Sequence, residues 1–155
     1  SVKIDLTPEG LNINIFDRAH KPIFNPNTDV FTDYGAWVFS TLAWEISRYK
    51  SFRIELEGHT ESKSELGTKD HGKWDLSTER ANAARRSLVA NGVTEKQISK
   101  VSGYADIAPM PGYMPTNEIN RRVTVLLKLK DSVKALADAP DSQKHAVLPD
   151  DATPN

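Results

Sequence analysis

The sequence predicts an α+β fold: a mixed β-sheet covered on one face by two main helices. Three observations carry this. The chain opens with two short alternating segments joined by a turn, it contains two stretches of helical periodicity, and each of those is followed by a segment alternating apolar with polar residues. The opening hairpin is antiparallel, whereas strand-helix-strand crossovers favour parallel pairing, so both kinds of ladder should share one sheet.

Val2, Ile4 and Leu6 alternate with polar neighbours, Pro8-Glu9-Gly10 turns the chain, and Leu11, Ile13 and Ile15 alternate again. Asp17 to Thr32 holds Pro22, Asn25, Pro26 and Asn27, which predicts an ordered loop plugged by Ile23 and Phe24. Thr32 or Asp33 caps a helix carrying Tyr34, Val38, Leu42, Ile46 and Tyr49, widened by Trp37 and Phe39. Phe52, Ile54 and Leu56 then form a strand with one wet face that runs into Gly58.

From His59 to Asp75 periodicity disappears, and a loop of that length between a strand and a helix is commonly functional. Ser77 is the expected N-cap of a second helix reaching Asn91, with Ala81, Ala84, Leu88 and Val89 on its apolar side and Gly92 as its stop. Thr94 to Gln97 has capping-box spacing before a strand Ile98 to Gly103. Three prolines and Gly112 make Tyr104 to Thr116 a second long loop, and Val123 to Leu129 alternate as the last strand. Residues 1–130 should form the domain, with a short helix over Asp131 to Ala139 and a disordered tail from about Pro140.

With 155 residues, 38% hydrophobic and 26% charged, the chain suits one domain with one core. A formal charge of −1 gives no net attraction for nucleic acid, whose binding rests on phosphate neutralisation. The absence of cysteine leaves cytosol and periplasm equally open. The most apolar stretch, Gly35 to Trp44, is about half the ~20 residues of a membrane-spanning helix. No export signal opens the sequence, so targeting of an exported parent would have to lie upstream.

Three motifs carry the functional reading: Leu56-Glu57-Gly58-His59-Thr60-Glu61, Trp74-Asp75-Leu76-Ser77-Thr78-Glu79-Arg80-Ala81-Asn82, and Asn120-Arg121-Arg122-Val123. Glu61 lies three residues beyond a strand end, and Arg80 lies near the start of the helix closing the same loop. A carboxylate and a guanidinium facing one pocket can hold the ammonium and the carboxylate of a zwitterion. Backbone N–H groups at the helix start would add to the anion side.

In this order the motifs resemble the peptidoglycan-binding domain of the OmpA family, and the Trp-Asp-Leu-Ser form resembles its MotB-type flagellar stator branch. The similarity spans roughly Leu11 to Lys130. It implies an OmpA-like sandwich and a non-catalytic wall anchor that grips diaminopimelate in the stem peptide. The roles implied fall on Thr60, Glu61, Leu76, Ser77, Arg80, Asn120, Arg121 and Arg122.

Glu61 stands where the family usually has Asp, which lengthens the arm by one methylene. Strand alternation allows only one of Arg121 and Arg122 to reach the pocket, and it does not choose between them. The stator branch further implies a periplasmic domain of a single-pass inner-membrane protein, a MotA-like channel subunit as partner, and a homodimer. An OmpA-like or Pal-like tether between outer membrane and wall is the alternative, and a wall-active hydrolase is the third hypothesis.

Other readings of single residues are weaker. His59, Glu61 and His71 match no metal-binding spacing, and His59 beside a strand end suits a structural hydrogen bond, so no metal or cofactor is expected. No Ser/His/Asp or Cys/His arrangement suggests catalysis. Trp37 and Trp44 are expected in the core or facing a second copy, and Trp74 is expected to pack the long loop at its helix start.

Overall fold

The computed structural model describes residues 1–62 and 72–129. The expected C-terminal helix and tail, and His71, lie outside the described residues. The elements follow the predicted order: β1 (Val2–Thr7), β2 (Gly10–Phe16), α1 (Asp33–Ile46), β3 (Arg53–His59), α2 (Lys73–Ala90), β4 (Ile98–Gly103) and β5 (Arg122–Lys128). They form one five-stranded sheet in the order β1-β2-β5-β3-β4. Only β3 and β4 pair in parallel, because α2 carries the chain across between them.

Register explains the core. Ile13 lies opposite Val125, which in turn lies opposite Leu56, so one row of apolar side chains crosses three strands on the same face. Phe39, Ala43 and Ile46 of α1 and Ala84 and Leu88 of α2 close over that face. Glu55 and Glu57, one position out of phase, point to the other side of the sheet. On the edge strand β1, Val2, Ile4 and Leu6 are exposed.

Helix α1 begins where its cap predicts, with the Thr32 hydroxyl accepting from the Gly35 N–H at 3.0 Å. It stops at Ile46, so Tyr49 lies beyond it and half exposed. Trp37 and Trp44 are 62% and 60% exposed, which excludes the core position and leaves the expected alternative of facing a second copy. The stripe through Val38, Phe39, Ala43 and Ile46 already fills the space under the helix and turns both indoles outward.

Helix α2 corrects a boundary. It starts at Lys73, with Gly72 as a cap that offers no side-chain bond, so Ser77 sits in its second turn and caps nothing. Ser77 is fully buried for another reason: a Cβ at Gly58 would collide with its carbonyl, so helix and strand touch backbone to backbone here. Its hydroxyl donates to the Trp74 carbonyl and accepts from the Ala105 N–H at 3.0 Å. Downstream, Gly92 turns the chain at φ +114 and the capping box of Thr94 and Gln97 forms as expected.

Candidate functional site

Four chain segments meet at the end of the sheet where β2 and β3 finish and β5 begins: Thr60 and Glu61 directly after β3, and three others taken in turn. The first of these is the loop after β2. Asp17 follows the last residue of that strand, and its Oδ1 accepts from the N–H groups of Ile23 at 2.7 Å and Phe24 at 3.3 Å. This bond closes the loop over the buried Ile23 and Phe24, and Phe24 stacks on Phe31 with ring centroids 4.8 Å apart.

The second segment is α2, held against β3 at Gly58, which directs Arg80 into the angle between that loop and the sheet. Arg80 is only 5% exposed. Its Nη1 is 3.3 Å from Asp17 Oδ2, its Nε donates to the Thr28 carbonyl at 2.8 Å, and its guanidinium lies 4.6 Å over the Phe24 ring. Burial pulls its pKa below the ordinary arginine value, against the upward effect of Asp17.

The third is the turn into β5, where a short 3₁₀ turn (Glu118–Asn120) leaves Arg121 just outside the strand. Its Nη1 donates to Glu61 Oε2 at 2.8 Å, and Nε and Nη2 donate to the Asp17 carbonyl at 3.0 and 2.7 Å. Glu61 is itself 7% exposed. The two carboxylates and two guanidinia thus pair as Asp17 with Arg80 and Glu61 with Arg121, so Glu61 and Arg80 each have a partner the sequence did not assign.

These groups line a cleft of about 290 Å³ together with Arg18, Ala19, Pro22, Phe24, Pro26, Asn27, Thr60 and Leu76. The cleft therefore takes in Thr60, Glu61, Leu76, Arg80 and Arg121 of the sequence-derived set. Thr60 is 3% exposed, and among the described residues its buried Oγ1 has no hydrogen-bond partner.

Ser77, Asn120 and Arg122 stand behind the cleft. Asn120 Nδ2 donates to the carbonyls of Met114 and Pro115, and its Oδ1 accepts from the Met110 N–H at 2.7 Å, which fastens the second long loop. Arg122 turns the opposite way from Arg121 and donates to Asn120 Oδ1 and the Ala108 carbonyl. Burial lowers its pKa. Arg121, not Arg122, reaches the cleft.

His59 Nε2 meets Glu57 Oε1 at 3.1 Å, and its ring stacks on Tyr104 with centroids 5.1 Å apart. Burial outweighs Glu57 and lowers its pKa. Among the described residues no group of three or more His, Asp or Glu side chains is placed to hold a metal ion, and no helix is long and apolar enough to cross a membrane. The residue that sequence reasoning missed is Asp17. An acidic side chain directly after a strand and before a proline-rich loop was the available signal, since Asp there often organises the turn that follows.

The chain is 32% identical over 136 residues to Motility protein B of Escherichia coli (strain K12), an alignment covering 87% of this chain and 44% of that protein. It thus spans less than half the length of that curated relative. In fold it is similar to the periplasmic domain of Helicobacter pylori MotB, with a TM-score of 0.67, 19% identity, and coverage of 97% of this chain and 99% of that one. It is also similar to the cell wall anchor of the T6SS from Pseudomonas aeruginosa, with a TM-score of 0.68, 17% identity and coverage of 83% and 88%. Residues 23–122 match the OmpA family, a span holding both helices, β3, β4 and the cleft residues Thr60, Glu61, Arg80 and Arg121, and the chain belongs to that family.

Proposed function

We propose that this domain binds the stem peptide of peptidoglycan without catalysing a reaction, and that it anchors a flagellar stator to the cell wall. The observation that carries the reading is the cleft in which Arg80 and Arg121 stand beside Asp17 and Glu61. Charges of both signs on one small surface suit a ligand that is itself a zwitterion, and the free end of diaminopimelate offers an ammonium and a carboxylate a few bonds apart. The Glu61 carboxylate takes the ammonium, and the guanidinium N–H groups take the carboxylate.

One support expected from the sequence is withdrawn. Helix α2 starts at Lys73, so free backbone N–H groups do not reach the Arg80 end of the cleft. The anion half rests on the two arginines. The Glu61 substitution also gains a physical account: its longer arm reaches Arg121 Nη1 at 2.8 Å, and a bound ammonium would share a carboxylate already held by that guanidinium.

The similarity to MotB proteins supports the rest of the proposal: a periplasmic location, a parent protein anchored in the inner membrane, a MotA-like channel subunit reached through a region beyond this chain, and a homodimer. The exposed Val2, Ile4, Leu6 and Trp37 offer an apolar side to a second copy. Sedimentation equilibrium checks it: a monomer at all concentrations contradicts the dimer.

Calorimetric titration with a purified muropeptide tests the ligand assignment. A stem with free diaminopimelate should bind, and amidation of its terminal carboxylate should weaken binding by about tenfold or more, because charge-assisted hydrogen bonds are lost. Equal affinity for both stems contradicts the assignment.

A further inference from the structure

We infer that Asp17 is the positioning residue of this cleft, the group that sets where both arginines present their N–H donors to a ligand carboxylate. The inference rests on the wall-binding reading for its ligand, and on geometry alone for the placement. Asp17 is 6% exposed and uses each of its polar groups in a different direction. Oδ1 accepts from Ile23 and Phe24 and shapes the loop. Oδ2 faces Arg80 Nη1 at 3.3 Å and Arg121 Nε at 3.7 Å. Its backbone carbonyl accepts two bonds from Arg121, and its N–H donates to the Arg121 carbonyl at 2.8 Å.

One residue therefore ties the loop, α2 and the entry to β5 together. The two guanidinia are like charges within electrostatic reach of each other, and Arg121 opposes the charge of Arg80. A carboxylate between them offsets that repulsion and fixes their separation. Both Asp17 carboxylate oxygens are engaged, Oδ1 by the loop amides and Oδ2 by the arginines, whereas Glu61 is bonded to Arg121 through Oε2, so the ammonium is assigned to Glu61. The division of labour is that Glu61 faces the ligand cation, while Asp17 holds the two groups that face the ligand anion.

The substitution Asp17→Asn separates this role from a merely structural one. Asparagine keeps an acceptor for the Ile23 and Phe24 N–H groups, and it replaces the charged Oδ2 with a neutral group. The measurement is the two-dimensional NMR spectrum of arginine Nε–H groups in the unliganded protein, alongside muropeptide titration and thermal unfolding. The expected result is loss or exchange broadening of the Arg80 and Arg121 signals, retained Ile23 and Phe24 amide signals, and affinity lower by about tenfold or more.

Asp17→Glu keeps the charge but displaces it by a methylene. It should keep sharp but shifted arginine signals and an intermediate affinity, and it serves as the test if the asparagine variant does not fold. Unchanged arginine signals in Asp17→Asn with affinity within about twofold of wild type overturn the inference. If the wild type binds no muropeptide, the wall-binding reading fails, and the arginine signals of the unliganded variants still decide the role of Asp17.

Discussion

Arg80 shows how a charged side chain is kept in a nearly dry place. It has a carboxylate, a carbonyl and an aromatic face around one planar cation, which satisfies its charge and most of its donors. Removing it leaves Asp17 Oδ2 facing Arg121 Nε at 3.7 Å, so Arg80→Ala should cost up to about 3–5 kcal/mol in urea denaturation, the range for breaking one side of a buried pair. Arg80→Lys keeps the charge but not the fork, and a smaller loss is expected. His59 gives the pH dependence. Its pKa is lowered from 6.5, so below that value the unfolded chain takes up a proton before the folded one does. Stability should be full above about pH 6.5 and decline as the pH falls below it. Urea midpoints measured from about pH 7.5 to 5 check this, and His59→Gln should flatten the profile. A wild-type profile already flat across that range contradicts it.

At the scale of elements, what was legible in the sequence follows from periodicity. Both helices, the hairpin and the three later strands were predicted in order, because each has its own apolar phase and recognisable caps. Thr32 is such a cap, and Thr32→Ala should cost about 1 kcal/mol, measured by thermal unfolding. The start of α2 was not legible, because Lys73-Trp74-Asp75 carries no apolar stripe and Ser77 looks like a cap. Ser77 is instead the small residue needed where α2 crosses Gly58. Gly58→Ala should therefore destabilise the domain beyond the ordinary cost of an alanine in a strand, and it should displace Arg80 and weaken ligand binding with it. An unfolding midpoint and an affinity both unchanged in this variant contradict the backbone contact.

Across the whole molecule, five of the eight residues singled out in the sequence converge on one cleft from three distant segments. Their pairing was not legible. Alternation could not set the phase of Arg121 and Arg122, because a 3₁₀ turn leaves Arg121 outside the strand. Nor could a motif reveal that Asp17, 63 residues before Arg80, is its carboxylate partner. Trp37 and Trp44 were expected in the core or facing a second copy, and the core half failed because a helical stripe gives a direction but not the width of what it packs against.

The central claim is that the Glu61 and Arg80 sides of this cleft bind the cell wall. Co-sedimentation with purified sacculi tests it most directly, using wild type, Glu61→Ala and Arg80→Lys after each is shown to be folded. The account predicts that wild type pellets with the sacculi and that both variants stay largely in the supernatant. Equal pelleting of all three would contradict it.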